Sequence, residues 1–583
     1  MGGILDFLGV STSLTGRRWV GPSAALLRST EAMTQSTALP QALCATLSRL
    51  GVPSDEAEAY LTPQLRHLMP DPQSLRDMSK ASARLIAAVS SGEKIAIFAD
   101  YDVDGATSAA LLCLWLRHFG CTPTLYVPDR IDEGYGPNTA AMQKLASAHS
   151  LIICVDCGTL SHAPIEAAKP ADVIVLDHHL GAETLPDCLA VVNPNRQDET
   201  ADLGHLCAAA VVFLYLVECR RQLRSAGKDG PELMSMLDLV ALATVADVAP
   251  LIGVNRAFVH QGLKVMAQRA RPGLVALADC ARIDSTPSSY HLGYVFGPRI
   301  NAGGRIGQAD LGVRLLTATH LSEAQPLADR LDQLNVERRT IENQVQSVAL
   351  EQAAERGFDQ PLVWAAGDGW HPGVVGIVAA RLKEASNRPA IVIGFDGDIG
   401  KGSGRSVSGI DLGVQIQRLA ADGLLQKGGG HKMAAGLSLS RDQLEPAMAR
   451  LAQLLKAQGS DALGPADLHL DSMLMPTAAN VELIEQLDRA GPFGAGAAGP
   501  RFAFADMAIK FAKRVGENHL KISFGSETGT PIDAISFGAF DGPLGPALQN
   551  HGGARFHLAG RLEINTWRGR QSVQLRLEDA ATA

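Results

Sequence analysis

Acidic side chains and histidines follow several short apolar runs of the sequence. The run VIVL at 173–176 is followed at once by Asp177, His178 and His179, three ionisable residues that a buried strand does not need. Carboxylate oxygens and imidazole nitrogens that meet in one place suit Mg²⁺ or Mn²⁺. Two such ions close together activate a water for attack on a phosphorus centre. The pattern therefore indicates a metal-dependent phosphoesterase or phosphoanhydride hydrolase.

The same pattern recurs where other apolar runs end. IFADYDVDG, IICVDC and ATVADV each place acids at such a point. Any one of these acids is better explained as the cap of a turn or helix, but capping alone does not account for the whole set. Gathered carboxylates repel one another and raise their own pKa values unless bound cations remove that penalty. The candidate metal-centre residues are Asp100, Asp102, Asp104, Asp156, Asp177, His178, His179 and Asp247.

The runs that carry these residues alternate with helical stretches from residue 94 onward. KIAIFAD, TLYVPD, LIICVD, VIVLDHH and LAVVNP predict short strands, and segments such as SAALLCLWLRHFG predict helices between them. Strands that alternate with helices indicate a parallel sheet covered on both faces. Ligands of such sheets bind outside the carboxyl ends of the strands. We therefore expect the acids to meet at one edge of the sheet.

The rest of the chain predicts a connecting helix and two further domains. Residues 321–357 carry apolar residues at helical spacing on a charged background, which predicts one long helix; an ordinary surface helix is the alternative. The α/β pattern restarts at residue 361, and the short strands after residue 465 indicate a small antiparallel barrel. The predicted segments are 1–70 (helical), 71–320 (parallel-sheet domain), 321–357 (connecting helix), 358–460 (smaller α/β domain) and 465–583 (β-barrel).

The composition is that expected of a globular protein of the cytoplasm. The 583 residues are 46% hydrophobic, and the longest apolar run, 206–217, is too short to cross a bilayer. The nine cysteines lie mainly in apolar runs, as reduced thiols do, and the CxxC of Cys154 and Cys157 has no second pair to complete a zinc site. Because the formal net charge is −9, a nucleic-acid partner must bind in a locally basic groove.

Taken in order, DYDVDG, VDCGT, DHH and ADV resemble the successive motifs of the DHH phosphoesterase superfamily. GGGHKMAAG at 428–436 resembles the glycine-histidine motif of the associated DHHA1 domain. GPRINAGGRIG at 297–307, WHPGVVGIVAARL at 370–382 and GSGRS at 402–406 resemble motifs of the RecJ family, the single-strand-specific exonucleases of that superfamily. The resemblance runs from about residue 60 to the C-terminus and implies an α/β fold in which a parallel-sheet DHH domain and a smaller α/β DHHA1 domain are joined by a long helix, with a C-terminal OB-fold β-barrel.

The resemblance also implies roles for the acids and histidines. Asp156 is expected to bridge two divalent cations, Mn²⁺ or Mg²⁺, Asp177 to orient His178, and His179 to face the scissile phosphate. The implied metal ligands are Asp100, Asp102, Asp104, Asp156, His178 and Asp247. The implied catalytic residues are Asp100, Asp102, Asp156, Asp177, His178 and His179.

Glycine-rich and basic segments are candidates for holding the substrate. Glycine lets backbone N–H groups approach a phosphate, and Ser403, Arg405 and Ser406 offer a guanidinium and two hydroxyls; simple turns and a surface ion pair are the alternatives. By resemblance, Arg130 acts with Ser403 and Arg405 on a terminal 5′ phosphate. The expected substrate-binding residues are Arg130, Arg299, Asn301, Arg305, Ser403, Arg405, Ser406, Gly429, Gly430, His431, Lys432, Arg568 and Arg570.

The barrel sequence offers aromatic and basic side chains for single-stranded nucleic acid. Some of the aromatic rings must fill the barrel core instead of stacking on bases, and the sequence does not separate the two groups. The candidate aromatic residues are Phe502, Phe504, Phe511, Phe524 and Trp567, and the candidate basic residues are Lys510, Lys513, Arg514, Lys521, Arg568 and Arg570.

The function implied by the resemblance is release of mononucleotides from the 5′ end of single-stranded DNA, in recombination and repair. A narrow cleft between two rigid domains is expected to exclude duplex DNA. One alternative is a short-oligonucleotide or cyclic-dinucleotide phosphodiesterase of the same superfamily, which generally lacks the barrel. Another is a replication scaffold that has lost its acids. The expected partners are single-stranded DNA, a helicase and a single-strand-binding protein, and the protein is expected to be a cytoplasmic monomer without membrane contact.

Overall fold

The computed structural model describes residues 6–130, 133–526, 531–567 and 569–583. These residues form two compact units. One unit is Leu65–Leu463, and the other joins residues 6–64 to Gly464–Ala583. Among the helices in the described ranges, none has the length and apolar character needed to span a bilayer.

The first half of the unit Leu65–Leu463 is built on a sheet that we call the first sheet. Its neighbouring strands are all parallel, as the alternation of strands and helices predicts. Every residue of the strands Ile95–Ala99 and Leu151–Val155 is buried, so both faces of the sheet are covered. From edge to edge, the strands are Thr124–Tyr126, Ile95–Ala99, Leu151–Val155, Asp172–Leu176 and Ala190–Val192.

Helices surround the first sheet and continue beyond it. The helix Val103–His118 begins where the Asp102 carboxylate accepts the N–H groups of Asp104 and Gly105, at 2.9 and 3.1 Å. The α-helices of this part are Leu65–Leu68, Met78–Ser91, Val103–His118, Thr139–Ala146, His162–Glu166, Ala208–Ser225, Leu237–Ala246, Gly253–Ala267, Pro272–Cys280, Gly297–Ile306 and Leu311–Leu316, with a π-helix at His291–Phe296.

A single helix, Leu321–Arg356, leads to the second α/β domain, which confirms the predicted connecting helix. Its 36 residues extend about 54 Å. The second sheet has the strand order Lys427–His431, Ala434–Ser440, Ile399–Arg405, Ala390–Asp396 and Val363–Asp368. Only its last two strands pair in parallel. Its helices are Pro372–Ser386, Leu412–Ala421 and Leu444–Lys456.

The C-terminal strands close into a five-stranded barrel, as predicted, although Ile532–Ser536 and Arg570–Thr582 pair in parallel where antiparallel pairing was expected. Around the barrel, the strands are Phe502–Val515, His519–Gly525, Ile532–Ser536, Arg570–Thr582 and Arg555–Trp567, and the last pairs with the first. Phe502, Phe504 and Phe524 are fully buried in the barrel core, so they are not base-stacking residues as the sequence allowed. Phe511 is 49% exposed and stays a candidate. The side chain of Trp567 lies outside the described residues.

Residues 6–64 share a hydrophobic core with the barrel, an association that the sequence did not predict. Their helices are Ala24–Ser36, Gln41–Arg49 and Ala57–Leu61, and the barrel side adds Val481–Asp488 and Leu544–Gln549. Leu43 and Leu47 are fully buried in the same cluster as the barrel phenylalanines. A short parallel pairing joins Trp19–Val20 to Leu468–His469.

Removal of the Asp579 carboxylate is expected to destabilise this unit. Asp579 Oδ2 accepts the indole N–H of Trp19 at 2.9 Å, and both side chains are fully buried. Asp579→Ala leaves that N–H without its partner, so it should lower the free energy of unfolding by about 1–3 kcal/mol. Asp579→Asn keeps an acceptor oxygen and should cost less. Urea unfolding of the full chain checks the order, and an alanine variant as stable as the parent contradicts it.

Candidate metal centre

The first sheet brings its strand-terminal acids together by its register. Ala99 pairs with Val155, and Val155 pairs with Leu176. The next residue of each strand is an aspartate, so Asp100, Asp156 and Asp177 follow three adjacent strands at the same level. The chain also reverses its order beside the first strand, and the carboxyl ends at such a switch point are where ligands bind in open α/β sheets.

Asp156 has an unusual backbone conformation at this edge. Its φ is 59°, in the left-handed region, which costs a non-glycine residue about 1–3 kcal/mol and is typical of functional sites. The first motif is equally constrained, because a Cβ atom on Gly105 would lie 2.4 Å from the carbonyl oxygen of Asp100. Glycine is therefore required where the helix Val103–His118 turns back over the strand end.

Six predicted ligands converge at this edge. His178 Nε2 lies 3.3 Å from Asp156 Oδ1 and 3.8 Å from Asp247 Oδ2. Three groups of side chains each bring their ligand atoms within 4.8 Å of one another, namely Asp100–Asp102–Asp156, Asp104–His178–Asp247 and Asp156–His178–His179. Asp156 and His178 each belong to two of these groups, so two adjacent cation sites that share Asp156 fit the arrangement.

Asp104 is held by the start of another helix. Its carboxylate accepts the N–H groups of Ala208 and Ala209 at 2.7 and 2.8 Å. These are the first residues of the helix Ala208–Ser225, where the helix dipole favours negative charge. Burial nevertheless raises the pKa of Asp104, because desolvation and the charge of Asp102 outweigh the opposing effect of His178.

The carboxylates are crowded enough to disfavour their own ionisation. Burial, followed by the charges of neighbouring aspartates, raises the pKa values of Asp100 and Asp156 well above normal. The same causes raise the pKa of Asp247 to about 8. Asp100 Oδ1 and Asp156 Oδ1 are buried without a hydrogen-bond partner among the described residues. Oxygens so placed fit a divalent cation, which would replace the missing partner and neutralise the repulsion.

Asp177 contacts both histidines of this loop, and it holds the ring of the second one, His179. Its Oδ1 accepts the ring N–H of His179 Nδ1 at 2.8 Å, whereas His178 donates only its backbone N–H, at 2.7 Å. Although burial opposes both charges, this pair lowers the pKa of Asp177 and raises that of His179 to about 9. Asp177 was expected to orient His178, and it contacts that residue through the backbone N–H. Asp177 orients the His179 ring and fixes the backbone of both histidines.

Four polar residues that hold the strand-end loops of this site were missed by the sequence analysis. Asn193 and Asn195 donate to the backbone carbonyls of His179 and His178 at 2.8 and 2.6 Å. Asn193 also directly follows the strand Ala190–Val192, so the strand-end rule that found the aspartates could have found it. The other two residues are Thr159, which donates to Asp177, and Tyr135, which donates to the Asp156 carbonyl oxygen.

Basic residues from three segments lie close to one another beside the metal centre. Burial and then repulsion from Arg130 lower the pKa of Arg305 to about 10 and also lower that of Arg405. Arg305 donates to the Gly373 carbonyl oxygen at 2.9 Å, and Arg405 donates to Ser403 Oγ at 3.0 Å. We call Arg130, Arg305, Ser403 and Arg405 the basic cluster. Guanidinium groups that repel one another in a partly buried position favour an anion.

Three other predicted substrate contacts have structural partners instead. Arg299 donates to Asp332 at 2.8 Å on the connecting helix. Asn301 Oδ1 accepts the Val103 N–H at 3.0 Å and so holds the first motif. Ser406 is buried, and its hydroxyl donates to the Ile410 carbonyl oxygen at 2.8 Å. The Ser406 hydroxyl is not available for phosphate, which corrects the expectation.

The remaining predicted contacts lie in exposed strands. Gly429, Gly430 and His431 belong to the edge strand Lys427–His431 of the second sheet, and Gly430, His431 and Lys432 are exposed. A Cβ atom on Gly429 would meet no atom within 4 Å, so this backbone is open to a ligand. Arg570 is exposed at the start of the last barrel strand, and Arg568 lies outside the described residues.

Comparison with known proteins gives matches along most of the chain. Residues 94–244 match the DHH family, N-terminal domain, residues 359–457 match the DHHA1 domain, and residues 470–579 match the RecJ OB domain. The chain is 37% identical over 527 residues to the single-stranded-DNA-specific exonuclease RecJ of Escherichia coli, covering 87% of this chain and 90% of that protein. The protein of the same name from Dickeya dadantii is 38% identical over 567 residues, covering 94% and 97%.

Solved structures are similar over nearly the whole chain. The crystal structure of RecJ in complex with Mn²⁺ from Thermus thermophilus has a TM-score of 0.79 and 27% identity, and covers 97% of this chain and 79% of that one. The Mg²⁺ complex from the same organism has a TM-score of 0.73 and the same identity, and covers 97% and 78%.

Mn²⁺ is expected to stabilise the protein through these carboxylates. A cation at a hundred times its Kd should add about 2.7 kcal/mol to the free energy of unfolding. Asp156→Asn keeps the side-chain shape and tolerates the left-handed backbone, but removes one buried negative charge. It should therefore melt at a higher temperature than the parent in EDTA and respond less to Mn²⁺.

Thermal unfolding with and without Mn²⁺ makes this comparison, with Asp396→Asn at an exposed position as the control. The control should behave as the parent does under both conditions. An Asp156→Asn variant with the full response to Mn²⁺ contradicts the assignment.

Proposed function

The chain belongs to the RecJ family of single-stranded-DNA-specific exonucleases, and we propose from this that it is a metal-dependent hydrolase that releases mononucleotides from the 5′ end of single-stranded DNA. The observation that carries the proposal is the convergence of the complete acid set at the switch point of the first sheet. A scaffold that had lost its activity would have no reason to keep this costly cluster.

In this proposal, two divalent cations bind between the three groups of side chains. Oxygen and imidazole ligands suit Mn²⁺ and Mg²⁺, the ions named in the complexes of the Thermus thermophilus relative. Asp156 would be shared by both ions, which its membership of two groups supports. The proposed ligands are Asp100, Asp102, Asp104, Asp156, His178 and Asp247.

When bound, such cations polarise a phosphate and make a water nucleophilic at neutral pH. The chain itself supplies orientation and charge around that chemistry. His179, whose ring N–H at Nδ1 is held by Asp177, faces the scissile phosphate in this proposal. The hydroxyl oxygen of Tyr135 lies 3.1 Å from His179 Nε2, and this contact limits the movement of the His179 ring.

The basic cluster holds the terminal 5′ phosphate in the same proposal. Arg130 and Arg405 supply guanidinium groups, and Ser403 supplies a hydroxyl. The helix Pro372–Ser386 begins beside them, because a Cβ atom on Gly376 would lie 3.1 Å from both Arg405 Nη2 and Ser403 Oγ. A phosphate there would also offset the repulsion among the arginines.

Exposed backbone and barrel residues hold the rest of the strand. Gly429 offers open backbone, Gly430 and His431 follow it in the same edge strand, and the exposed Lys432 comes directly after the strand. The barrel contributes Phe511 for stacking and Arg570 for the phosphate backbone. The barrel also counts against the runner-up, a short-oligonucleotide or cyclic-dinucleotide phosphodiesterase, because a small substrate has no use for it.

The proposal extends to the setting of the activity. It places the protein in the cytoplasm, in recombination and repair, as a monomer that receives single strands from a helicase and a single-strand-binding protein. These finer statements rest on the family alone and are tested separately from the chemistry.

Digestion of end-labelled strands tests the activity. The parent should release labelled mononucleotides from the 5′ end of a long single strand in Mn²⁺ or Mg²⁺ and none in EDTA. Asp156→Asn should abolish cleavage while binding of the strand in EDTA is retained, since the basic residues are unchanged. Release from the 3′ end, or rapid digestion of dinucleotides alone, contradicts the proposal.

Arg405→Ala tests the end recognition. The parent should degrade a 5′-phosphorylated strand with a lower KM than the same strand with a 5′ hydroxyl. Loss of a charge-assisted contact should reduce that preference about tenfold to a hundredfold. Arg450→Ala, at a partly exposed position in the same domain, is the control and should keep the preference. An unchanged preference in Arg405→Ala assigns the 5′ phosphate elsewhere.

A further inference from the structure

Two exposed tyrosines stack on each other near the metal centre. The rings of Tyr290 and Tyr294 have centroids 5.2 Å apart and planes 27° apart. Tyr290 is 54% exposed and Tyr294 is 68% exposed, so a large part of this aromatic surface faces solvent. Single exposed apolar residues are common, but a preformed pair of stacked rings is not needed for folding and suggests a planar ligand.

The pair is fixed close to Asp247 by the packing of its helix. Tyr294 lies in the π-helix His291–Phe296, a rare form that is frequent at functional sites. A Cβ atom on Gly293 would lie 3.4 Å from Val245 Cγ1, and one on Gly297 would lie 3.2 Å from Ala246 Cβ. Two glycines that flank Tyr294 in the sequence therefore pack directly on the two residues that precede Asp247.

The residue after Asp247 also presents an apolar surface. Val248 is 69% exposed and has a φ of 60°, a strained conformation for a β-branched residue. Exposure of a strained valine beside a metal ligand gives no advantage to folding. It does provide open apolar surface on the side of Asp247 that faces solvent.

The π-helix His291–Phe296 continues directly into the helix Gly297–Ile306, and together they give the order of the sites along a bound strand. Tyr294 lies at the start, Asn301 contacts the first motif in the middle, and Arg305 reaches the basic cluster at the end. Eleven residues separate Tyr294 from Arg305, which is about 16 Å along a helix. The metal centre thus lies between the tyrosine pair and the basic cluster.

Resting on the proposed function, we propose that Tyr290 and Tyr294 form a base-stacking platform for the strand beyond the scissile phosphate. With the 5′ phosphate at the basic cluster and the scissile phosphate at the metals, the next nucleotides run towards the tyrosines. Stacking on an aromatic face is tolerant of sequence, as an exonuclease requires. The platform holds the shortened strand after each cleavage.

Abasic scanning tests the platform directly. A 5′-phosphorylated strand carries one abasic site at each of its first eight positions in turn, and binding is measured in EDTA by fluorescence anisotropy. The parent should lose affinity about tenfold at one or two internal positions. Tyr290→Ala with Tyr294→Ala should bind the intact strand about tenfold more weakly and show no further loss at those positions. Tyr290→Phe with Tyr294→Phe should restore the parent profile, and Leu321→Ala, at another exposed apolar residue, is the control.

The outcomes separate this inference from the proposed function. If the parent neither binds nor digests single strands, the proposed function fails. If the parent digests them but the alanine variant keeps the parent abasic profile, only the platform is overturned. An equal loss at every position, or a change in oligomeric state, also overturns it, because the tyrosines would then support the fold or contact another copy of the chain.

Discussion

Repulsion among buried carboxylates at the switch point of the first sheet is the constraint on which the rest of this structure depends. Asp100 and Asp156 lie side by side at the ends of adjacent strands, and each has a buried oxygen without a partner among the described residues. Bare charges in such a place are unstable, so the cluster persists only when protonated or when cations bind. At neutral pH, the arrangement therefore favours cations and keeps a preformed place for them.

The surrounding elements hold this cluster in one geometry. A helix start holds Asp104, Asp177 holds the His179 ring, and Asn301 holds the first motif from a helix that continues to Arg305. That last helix, Gly297–Ile306, contacts the first motif in its middle and the basic cluster at its end, and its start packs beside Asp247. Movement of this helix would therefore change the metal centre and the basic cluster together.

The part of the site that follows from strand register could be predicted, and the part that depends on side-chain direction could not. Asp156 was predictable because parallel strands end at one edge. Which histidine Asp177 holds depends on a turn that the sequence does not define. In the barrel, a register shift between Ile509 and Phe511 changes which side chains face the core, so Phe511 could not be sorted by alternation. The packing of residues 6–64 on the barrel is a long-range contact without a local signal.

Anomalous diffraction from crystals grown with Mn²⁺ tests the central claim most directly. The account predicts two manganese ions at the carboxyl edge of the first sheet, with Asp156 in contact with both and its formerly unpartnered oxygen used as a ligand. A well-ordered edge that holds no manganese, with Asp100 and Asp156 still side by side, would contradict it.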